Sequence, residues 1–385
     1  MSLIAADNNG AVMAALFVIA GLGFLGERTR IGSHLTGAVL AILGAILAAN
    51  LGIIPHNADA YSFVFKYLVP VLIPLFLFQA DLRKILFETT RTTLAFLLAT
   101  VGTVAGVTLA VLMLDLGGLA AGADIAPAQR EAAIAGLFAS TYIGGSVNYA
   151  ALGEITGLQA DASFFSAATA ADNLFSAVYL GFLALLPGWA WLARRFPDHD
   201  HSSGPAIETD KAEVSAMSLT LGLATAMLIV ALSDGLASWL QAPDWRYVLI
   251  TAITLVLATL IPDLASRLAG SFEIGVGLSF VFFAAIAAGA DIVAMIELAP
   301  MLTLLVFILL SVHASIILVF GSLFRLSLPE LITASNAAVL GATTAPALAA
   351  TKGWKNLVTP GVLVGVLGYA LGTFIGTAIF KTWGG

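Results

Sequence analysis

Long apolar stretches alternate with short polar ones along nearly the whole chain of 385 residues. A helix needs about 20 apolar residues to cross the hydrocarbon core of a bilayer. Six stretches of roughly this length lie on each side of a polar linker at residues 193–214. They run at 11–26, 35–54, 62–80, 92–115, 131–153, 163–187, 216–240, 246–264, 273–293, 300–323, 330–350 and 357–381. The pattern predicts an all-α polytopic membrane protein with two transmembrane halves, residues 1–192 and 215–385.

The fifth apolar stretch contains a segment that disfavours a continuous helix. Residues 140–151 read STYIGGSVNYAA, in which Gly144 and Gly145 are adjacent and Ser146 and Asn148 follow. A glycine lowers helix propensity by about 1 kcal/mol, and Ser and Asn favour caps over helix interiors. Lipid cannot satisfy the backbone groups that a broken helix frees. We therefore expect a broken helix that lines a buried site. The alternative is a glycine notch between two continuous helices.

The eleventh stretch repeats these features. Residues 335–350 read SNAAVLGATTAPALAA, and Pro346 follows the two threonines. Proline is tolerated in the first turn of a helix, so a half-helix with a hydroxyl cap is expected to start near Thr343 or Thr344. If Gly144 is matched with Gly341, two broken helices fall at corresponding places, which predicts an internal repeat. The candidate substrate-binding residues are Gly144, Gly145, Ser146, Asn148, Gly341, Thr343 and Thr344.

The distribution of basic residues favours inverted repeats. Simple alternation of six spans per half would give both halves the same orientation, whereas the positive-inside rule favours an inverted second half with the N-terminus outside. Inversion places the linker, Arg267, Arg325 and Lys381 inside and leaves Arg246, Lys352 and Lys355 outside. It requires that one apolar stretch does not cross fully or that part of the linker crosses. The sequence leaves both alternatives open.

Asp172 lies well inside the sixth stretch. A charge within a membrane costs about 2.5–3.5 kcal/mol on insertion scales, so such a residue is a functional candidate. Carboxylate, amide and hydroxyl oxygens around it suit a hard cation or a proton. The alternative is a structural Asp that neighbouring hydroxyls satisfy. The predicted ion-coupling residues are Asp172, Asn173, Thr141, Thr169 and Ser176.

Other polar residues are weaker candidates. His313 lies among apolar residues and is expected to be a packing residue, with coupling as the alternative role. Residues near span ends reach the interface easily, so we expect structural or gating roles for Gln79, Asp81 and Asp291 and an interfacial anchor at 244–246. The His-Asp-His tract at 199–201 lies in a solvated loop and is too short to predict a metal site.

The composition agrees with a membrane protein that is not an enzyme. Hydrophobic residues make up 60% and charged residues 10% of the chain, against about 25% charged in soluble domains. There are no cysteines, which excludes disulfides and thiolate metal sites. No catalytic motif and no basic cluster for nucleic acid is present. No cofactor is expected beyond a bound sodium ion.

The paired patterns TYIGGSVNYAALGE and ASNAAVLGATTAPALAA, together with AADNLFSAVYLGF, resemble the YjcL-like bacterial membrane proteins. That family is labelled a domain of unknown function and is placed with the cation:proton antiporter and anion transporter superfamily, beside bile acid:sodium symporters. The resemblance implies a homodimeric elevator-type carrier in the bacterial inner membrane. In antiporter relatives an acidic pair follows the first broken helix. Asp172 and Asn173 occupy that position here, but the second half has Gly368 and Tyr369.

These features lead to one hypothesis and two alternatives. The hypothesis is a secondary active transporter of a small anionic organic solute, coupled to sodium or protons. Spans 1, 2, 7 and 8 would form the scaffold, and spans 3–6 and 9–12 the mobile core. Half-helix N-termini attract anionic groups. The alternatives are a membrane-embedded enzyme that pairs the Asp172 and Asp291 carboxylates, and a channel. Expected partners are membrane lipid, the solute and a second copy of the chain.

Overall fold

The computed structural model describes residues 2–29, 37–78, 80–83, 89–199, 201–202, 213–242, 245–261, 263–290 and 292–384. The regular elements in these residues are helices, and those of eight or more residues are α1 (Asn9–Glu27), α2 (Gly37–Asn50), α3 (Asp59–Leu77), α4 (Thr90–Met113), α5 (Arg130–Gly144), α6 (Ser146–Thr156), α7 (Ala162–Leu185), α8 (Ala216–Trp239), α9 (Arg246–Leu260), α10 (Ser271–Ala288), α11 (Ile292–Leu323), α12 (Leu328–Leu340), α13 (Thr344–Thr351) and α14 (Val358–Trp383). Eight helices are long and apolar enough to cross a membrane, and two shorter apolar helices accompany them. The prediction of an all-α polytopic membrane protein is confirmed.

Polar residues set the starts of several helices. Asn8 accepts a hydrogen bond from the Ala11 amide at the start of α1 (3.1 Å), and Asp161 accepts one from Phe164 at the start of α7 (3.0 Å). Ser215 and Ser327 begin α8 and α12 with reciprocal side-chain and backbone bonds. Such caps satisfy N–H groups that have no partner within the helix. They fix where each apolar stretch becomes a helix.

The fifth predicted span folds back on itself as hairpin 1, which consists of α5 and α6. Both arms lie against α14. A Cβ atom on Gly376 would lie 2.9 Å from Ser140 Cβ of α5 and 3.0 Å from Leu152 Cγ of α6. Beyond the two arms, the Asp124 amide donates a hydrogen bond to the Gly157 carbonyl (3.4 Å). The chain therefore enters and leaves hairpin 1 at the same end of the bundle.

The eleventh predicted span folds back in the same way as hairpin 2, which consists of α12 and α13. Near its tip the Thr344 hydroxyl donates to Asn336 Oδ1 (2.7 Å). At its mouth the linker residue His201 contacts both sides of the hairpin. Its Nδ1 lies 2.9 Å from Asn356 Oδ1, and its Nε2 lies 2.8 Å from Ser327 Oγ. The linker thus closes the mouth of hairpin 2.

The mouths of the two hairpins lie at opposite ends of the bundle. Gln129 Nε2, beside hairpin 1, donates to the Gly384 carbonyl (3.2 Å), and the N-terminal segment pairs with residues 52 and 53. We call this the terminal end. We call the opposite end, where Arg91 meets Glu330 of hairpin 2 (2.7 Å), the linker end. In the described residues, five helices of each half run between the ends. The apolar stretch that does not cross is the broken one in each half.

This topology corrects three of the expected charge positions. Lys381, expected on the side of the linker, lies at the terminal end near Gln129. Lys352 and Lys355, expected on the opposite side, lie at the linker end beside Asn356, which contacts His201. The expectation failed because it treated the eleventh stretch as a crossing helix, whereas hairpin 2 returns the chain to the end from which it came.

The helices pack in two groups. One group contains α1, α2, α3, α8, α9 and α10, and the other contains α4, α7, α11, α14 and both hairpins. The predicted division assigned spans 3 and 9 to the core. Their helices, α3 and α10, instead make most of their contacts with each other and with α1, α2, α8 and α9. We use scaffold and core below for the two packing groups, each drawn equally from the two halves of the chain.

Glycines bring α5 and α14 into close contact. A Cβ on Gly136 would lie 2.6 Å from the Gly376 carbonyl oxygen, and one on Gly376 would lie 2.7 Å from that of Gly136. A Cβ on Gly144 would likewise overlap the Gly368 carbonyl. Small residues are favoured where membrane helices approach closely. The glycines thereby allow hairpin 1 to pack closely on α14 within the core.

Gly136→Ala is expected to destabilise the protein by about 1–3 kcal/mol, the usual cost of overpacking a tight core. Gly181 is the matched control, because it lies in α7 and nothing approaches its Cβ position within 4 Å. Gly181→Ala should be neutral or stabilising, since alanine is the better helix former. Thermal unfolding of the purified protein in detergent measures both. Equal melting temperatures for the two variants would contradict the close contact.

Candidate functional site

The tips of the two hairpins meet at a cavity of about 290 Å³. Tyr369 of α14 lies between them. A Cβ on Gly145 would lie 3.8 Å from Tyr369 Cε1, and one on Gly341 would lie 3.5 Å from its hydroxyl. The cavity is lined by Phe76, Thr141, Gly145, Ser146, Val147, Asp172, Asn173, Ser176, Phe272, Val276, Ser279, Phe280, Phe283, Val339, Leu340, Gly341, Thr343, Thr344 and Tyr369. The site thus joins both halves of the chain.

Each tip turns on a glycine in the same unusual backbone conformation. Gly145 has φ 71° and ψ −167°, and Gly341 has φ 96° and ψ −175°. Only glycine adopts this region without strain of about 1–3 kcal/mol. The alignment of the two halves in the sequence paired Gly144 with Gly341. The backbone angles pair Gly341 with Gly145, one residue later. Gly144 instead makes the close contact with Gly368, so its role is packing beside the turn.

Most of the predicted substrate-binding residues line the cavity. Gly145, Ser146, Gly341, Thr343 and Thr344 do so. Asn148 does not: it is buried and donates to the Tyr369 carbonyl and the Thr373 hydroxyl, both at 2.8 Å. It therefore fastens α6 to α14. Helix α13 begins at Thr344, as predicted, but neither threonine forms the expected side-chain cap.

Four of the predicted ion-coupling residues also line the cavity: Thr141, Asp172, Asn173 and Ser176. Thr169 does not, because its hydroxyl donates to the Phe165 carbonyl one turn earlier (2.8 Å). Asp172 Oδ1 is buried and has no hydrogen-bond partner among the described residues. The buried hydroxyl of Tyr142 lies beside this carboxylate and can act as a hydrogen-bond donor to it. An ion bound next to Asp172 would supply a further partner for the carboxylate, since a buried unsatisfied oxygen is costly.

Among the described residues that line the cavity, Asp172 is the only charged one, and none is Lys, Arg or His. The first turns of α6 and α13 begin at the cavity with Ser146 and Thr344. Helix N-termini carry partial positive charge and N–H groups without intrahelical partners. One carboxylate therefore lies near two weakly positive helix ends, and this combination can accommodate an anion together with a cation or a proton.

The cavity extends from the tips towards the linker end. Its scaffold wall includes Phe76 near the end of α3 and Phe272 near the start of α10. On the terminal side, aromatic rings close the gap between core and scaffold. The Tyr149 and Phe165 ring centroids are 4.2 Å apart, and Phe282 of the scaffold lies edge-on to Phe165 at 6.4 Å. We call Tyr149, Phe165 and Phe282 the aromatic seal.

Sequence reasoning missed the aromatic side of the site. Tyr369, Tyr142 and the phenylalanines of α3 and α10 were not candidates, because aromatic residues in apolar stretches usually indicate packing. Tyr369 had one usable signal, since it occupies the position where the second half was searched for an acid. The phenylalanines had none, because the sequence does not show which face of a span meets a cavity.

His313 is a satisfied core residue, as expected. It is fully buried, with Nδ1 2.9 Å from the Thr103 hydroxyl and Nε2 2.8 Å from the Ser335 hydroxyl. Thr103 donates to the Tyr142 carbonyl (3.2 Å), and Tyr179 bonds Ser335 (2.8 Å). If the imidazole is neutral with its proton on Nδ1, it donates to Thr103 and accepts from Ser335, and Ser335 accepts from Tyr179. Every group in this hydrogen-bond network then has a partner. The network ties hairpin 1 to hairpin 2 through the core.

The His-Asp-His tract lies at the mouth of hairpin 2. Ring nitrogens of His199 and His201 and a carboxylate oxygen of Glu330 lie within 4.8 Å of one another. The Arg91 guanidinium already bonds Glu330 (2.7 Å) and approaches His199 Nδ1 (3.3 Å). A metal ion would compete with this fixed cation, so the cluster is better suited to fastening the linker. Gln79, Asp244 and Asp291 lie outside the described residues.

The helical bundle and its apolar surface define a polytopic all-α membrane protein. Comparison with known families identifies the family to which the chain belongs. The family described as "Protein of unknown function (DUF819)" matches residues 14–383. The chain is also 32% identical over 396 residues to the "Uncharacterized membrane protein YjcL" of Bacillus subtilis (strain 168), with 98% of this chain and 97% of the relative covered. The chain therefore belongs to the DUF819 family, as the resemblance to YjcL-like proteins implied.

Gly145→Ala and Gly341→Ala are each expected to destabilise the protein by about 1–3 kcal/mol, because alanine is strained at these backbone angles. Both should also speed hydrogen exchange of the amides at the tips. Gly277→Ala is the matched control, since nothing approaches its Cβ position within 4 Å. Thermal unfolding and hydrogen exchange of the purified variants provide the measurements. Unchanged exchange at residues 141–148 and 338–345 would contradict a conformational need for glycine.

Proposed function

We propose that the protein is a secondary active transporter of a small organic anion, coupled to sodium ions or protons. The observation that carries the proposal is the meeting of two glycine-tipped hairpins, entered from opposite ends of the bundle, at a cavity with a single carboxylate. Irregular backbone at membrane depth is tolerated where it is buried in protein or lines a cavity. Many secondary transporters bind substrate between two such broken elements.

The proposal includes an inverted repeat. Gly341 follows Gly145 by 196 residues, and Val358, which begins α14, follows Ala162, which begins α7, by the same 196. Five helices of each half run between the ends, so a second half that begins at the linker end has the opposite direction. Inverted repeats allow a binding site to open alternately to the two sides of a membrane.

The linker end is the proposed cytoplasmic side. Among the described residues, the basic residues at or near this end are Arg28, Arg83, Arg91, Arg194, Arg195, Arg267, Arg325, Lys352 and Lys355. Those towards the terminal end are Lys66, Arg130, Arg246 and Lys381. Lys and Arg are enriched on the cytoplasmic side of membrane proteins. Both described termini would then face the outside of a bacterial inner membrane.

The cavity is proposed to be open to the cytoplasmic side in this conformation. At the terminal end, Tyr149 and Phe165 belong to the aromatic seal. Their counterparts 196 residues later are Ala345 and Gly361 at the linker end. A Cβ on Gly361 would lie 3.4 Å from the Ala345 carbonyl carbon, so this pair is also in contact, but through small residues. Opening towards the terminal side requires the seal to separate.

The two packing groups suit an elevator mechanism. Both hairpins, Asp172 and Tyr369 belong to the core, so the core carries the hairpin tips and the one carboxylate of the site. The scaffold contributes an apolar wall along which such a core could slide. Outer faces of α1 and α8 expose apolar side chains, among them Phe17, Leu22 and Leu228. These faces fit lipid and, in the proposed homodimer, a second copy.

Coupling is proposed to occur at Asp172. An ion bound at its buried Oδ1, beside the Tyr142 hydroxyl, would balance the charge of the carboxylate. Ser176 and Thr141 line the same cavity and offer further oxygens of the kind that a hard cation takes. The bound ion would lower the repulsion between Asp172 and an anionic solute. No resident cofactor is part of the proposal.

Transport itself is tested in proteoliposomes. A thermal-shift screen of metabolites, with and without sodium, first identifies candidate solutes, because a ligand that binds the folded state raises its melting temperature. Each candidate is then measured for counterflow. A carrier should show saturable uptake that a solute on the opposite side accelerates. Flux without saturation would support a channel, and chemical conversion of the solute would support an enzyme.

Asp172→Asn keeps the shape of the side chain and removes its charge. We expect the variant to lose cation-dependent uptake by at least about tenfold, since the ion site loses its only formal negative charge. Uptake is measured across a sodium series and a pH series. Asp7→Asn is the control, because Asp7 is exposed in the segment before α1 and lies outside the cavity. If uptake by Asp172→Asn depends on sodium and pH as uptake by the wild type does, Asp172 is not the coupling residue.

Access to the cavity can be measured directly, because the chain contains no cysteine. Ser279→Cys places a thiol in the cavity wall. We expect a membrane-impermeant thiol reagent to label it from the linker side and not from the terminal side. Ser202→Cys and Ser238→Cys, at exposed positions of the two ends, are the side controls. Labelling of Ser279→Cys from the terminal side alone would contradict the proposed orientation of the opening.

A further inference from the structure

The cavity wall divides by chemistry between core and scaffold. The polar side chains of the wall, Thr141, Ser146, Asp172, Asn173, Thr343 and Thr344, belong to the core, which also contributes Val147, Val339 and Leu340. The scaffold contributes Phe76, Phe272, Val276, Phe280 and Phe283, with Ser279 as its one polar residue. The Ser279 hydroxyl donates a hydrogen bond to the Val276 carbonyl of its own helix (2.7 Å). A ligand in the cavity therefore has hydrogen-bonding groups on one side and aromatic or aliphatic surface on the other.

The aromatic wall is a fixed surface. The rings of Phe76 and Phe272 are edge-to-face with centroids 5.1 Å apart, and Phe76 lies 5.6 Å from the Tyr369 ring. Phe280 stacks on Phe24 of α1 at 4.2 Å. Rings held by such neighbours keep their orientation and present a preformed apolar face. A preformed apolar face favours the binding of a ligand that has an apolar body of matching size.

The polar side of the cavity suits one negative charge. No Lys, Arg or His is among the described residues that line it, and sites for phosphates or several carboxylates usually use such side chains. The weak positive potential of the α6 and α13 N-termini is the attraction that remains for an anion. Unpartnered Asp172 Oδ1 is the independent sign that the cavity holds a ligand or ion. A second carboxylate on the solute would face Asp172 without a basic partner.

The Asp172 side chain lines the cavity, but its Oδ1 is turned away from the open space and is buried beside the hydroxyl of the fully buried Tyr142. A small ion can occupy such a position, whereas an ammonium group attached to a solute would have to carry its carbon skeleton into the same space. This arrangement separates the place of the coupling ion from the place of the solute.

We propose that the substrate is a monocarboxylate with a compact apolar body. Its carboxylate lies at the two hairpin tips, and its body packs on the phenylalanines of α3 and α10. The proposal rests on the proposed transport function and narrows it to one class of solute. The cavity volume of about 290 Å³ is at the lower limit of about 300–1,000 Å³ for sites of drug-sized ligands. A single ring with a short acidic chain is of suitable size.

A series of compounds that share one phenyl ring tests the class. 3-Phenylpropionate carries one carboxylate, benzylmalonate carries two, phenylalanine adds an ammonium group, and 3-phenylpropanamide has no charge. Lactate and citrate keep the carboxylates and remove the apolar body. Binding to the full-length protein in detergent is measured by calorimetry at fixed sodium concentration and pH. We expect 3-phenylpropionate to bind at least about tenfold more tightly than each of the other five.

Substitutions of the scaffold phenylalanines test whether the ring of 3-phenylpropionate binds against them. Phe272→Ala and Phe283→Ala should each weaken 3-phenylpropionate binding about tenfold, because the ring loses apolar contact. Phe307→Ala is the control, since Phe307 is 58% exposed on the outer face of α11. Each variant is also tested with lactate, which has a carboxylate but no ring. Its weak binding should stay unchanged if the variant is folded and has lost only the contact with the ring. Equal loss in Phe307→Ala would overturn the assignment of the wall.

Other outcomes overturn the proposal in distinguishable ways. Tightest binding of phenylalanine would show that Asp172 takes an ammonium group and that the solute is a zwitterion. Tightest binding of citrate or benzylmalonate, or no binding of any compound, would overturn the monocarboxylate class. The carrier function would survive each result if another solute showed saturable counterflow in proteoliposomes. Absence of counterflow for a solute that does bind would overturn the proposed function itself.

Discussion

The structure depends on one constraint: backbone polar groups that leave a helix within an apolar bundle must be buried in protein or face a polar cavity. Gly145 and Gly341 create two such interruptions. The surrounding elements bury both interruptions in protein. Helix α14 lies along both arms of hairpin 1, and its Tyr369 fits between the tips. The linker closes the mouth of hairpin 2 through His201. The cavity is the space that remains between the tips.

The two halves are similar in backbone and different in side chains. Both tips use the same glycine conformation, yet an acid occurs only in α7 and a tyrosine occupies the corresponding part of α14. The aromatic seal at the terminal end corresponds to alanine and glycine at the linker end. In the proposed inverted repeat, the two related halves would provide two conformations of the bundle, while the unequal side chains would decide which one is more stable. One conformation would then be the resting state of the proposed carrier.

The sequence predicted most of the architecture because its signals are local. Apolar length located the spans, and the glycines with neighbouring hydroxyl residues located both interruptions. Three things could not be predicted. Whether a broken span crosses or returns depends on contacts such as Asn148 with α14. The pairing of Gly145 rather than Gly144 with Gly341 depends on backbone angles. The phenylalanine wall depends on which faces of α3 and α10 meet the core, and uniformly apolar spans do not encode that choice.

An elevator mechanism requires the core to carry the site along a stationary scaffold, and distances between spin labels measure this movement. One label at Thr382 reports on the core and one at Ser238 on the scaffold, both exposed near the terminal end. A pair within the scaffold, Leu51 and Ser238, is the control. The account expects two populations of the Thr382–Ser238 distance, with a ratio that changes when sodium and solute are added, and one population for the control pair. A single unchanged Thr382–Ser238 distance under all conditions in a transport-active protein would contradict it.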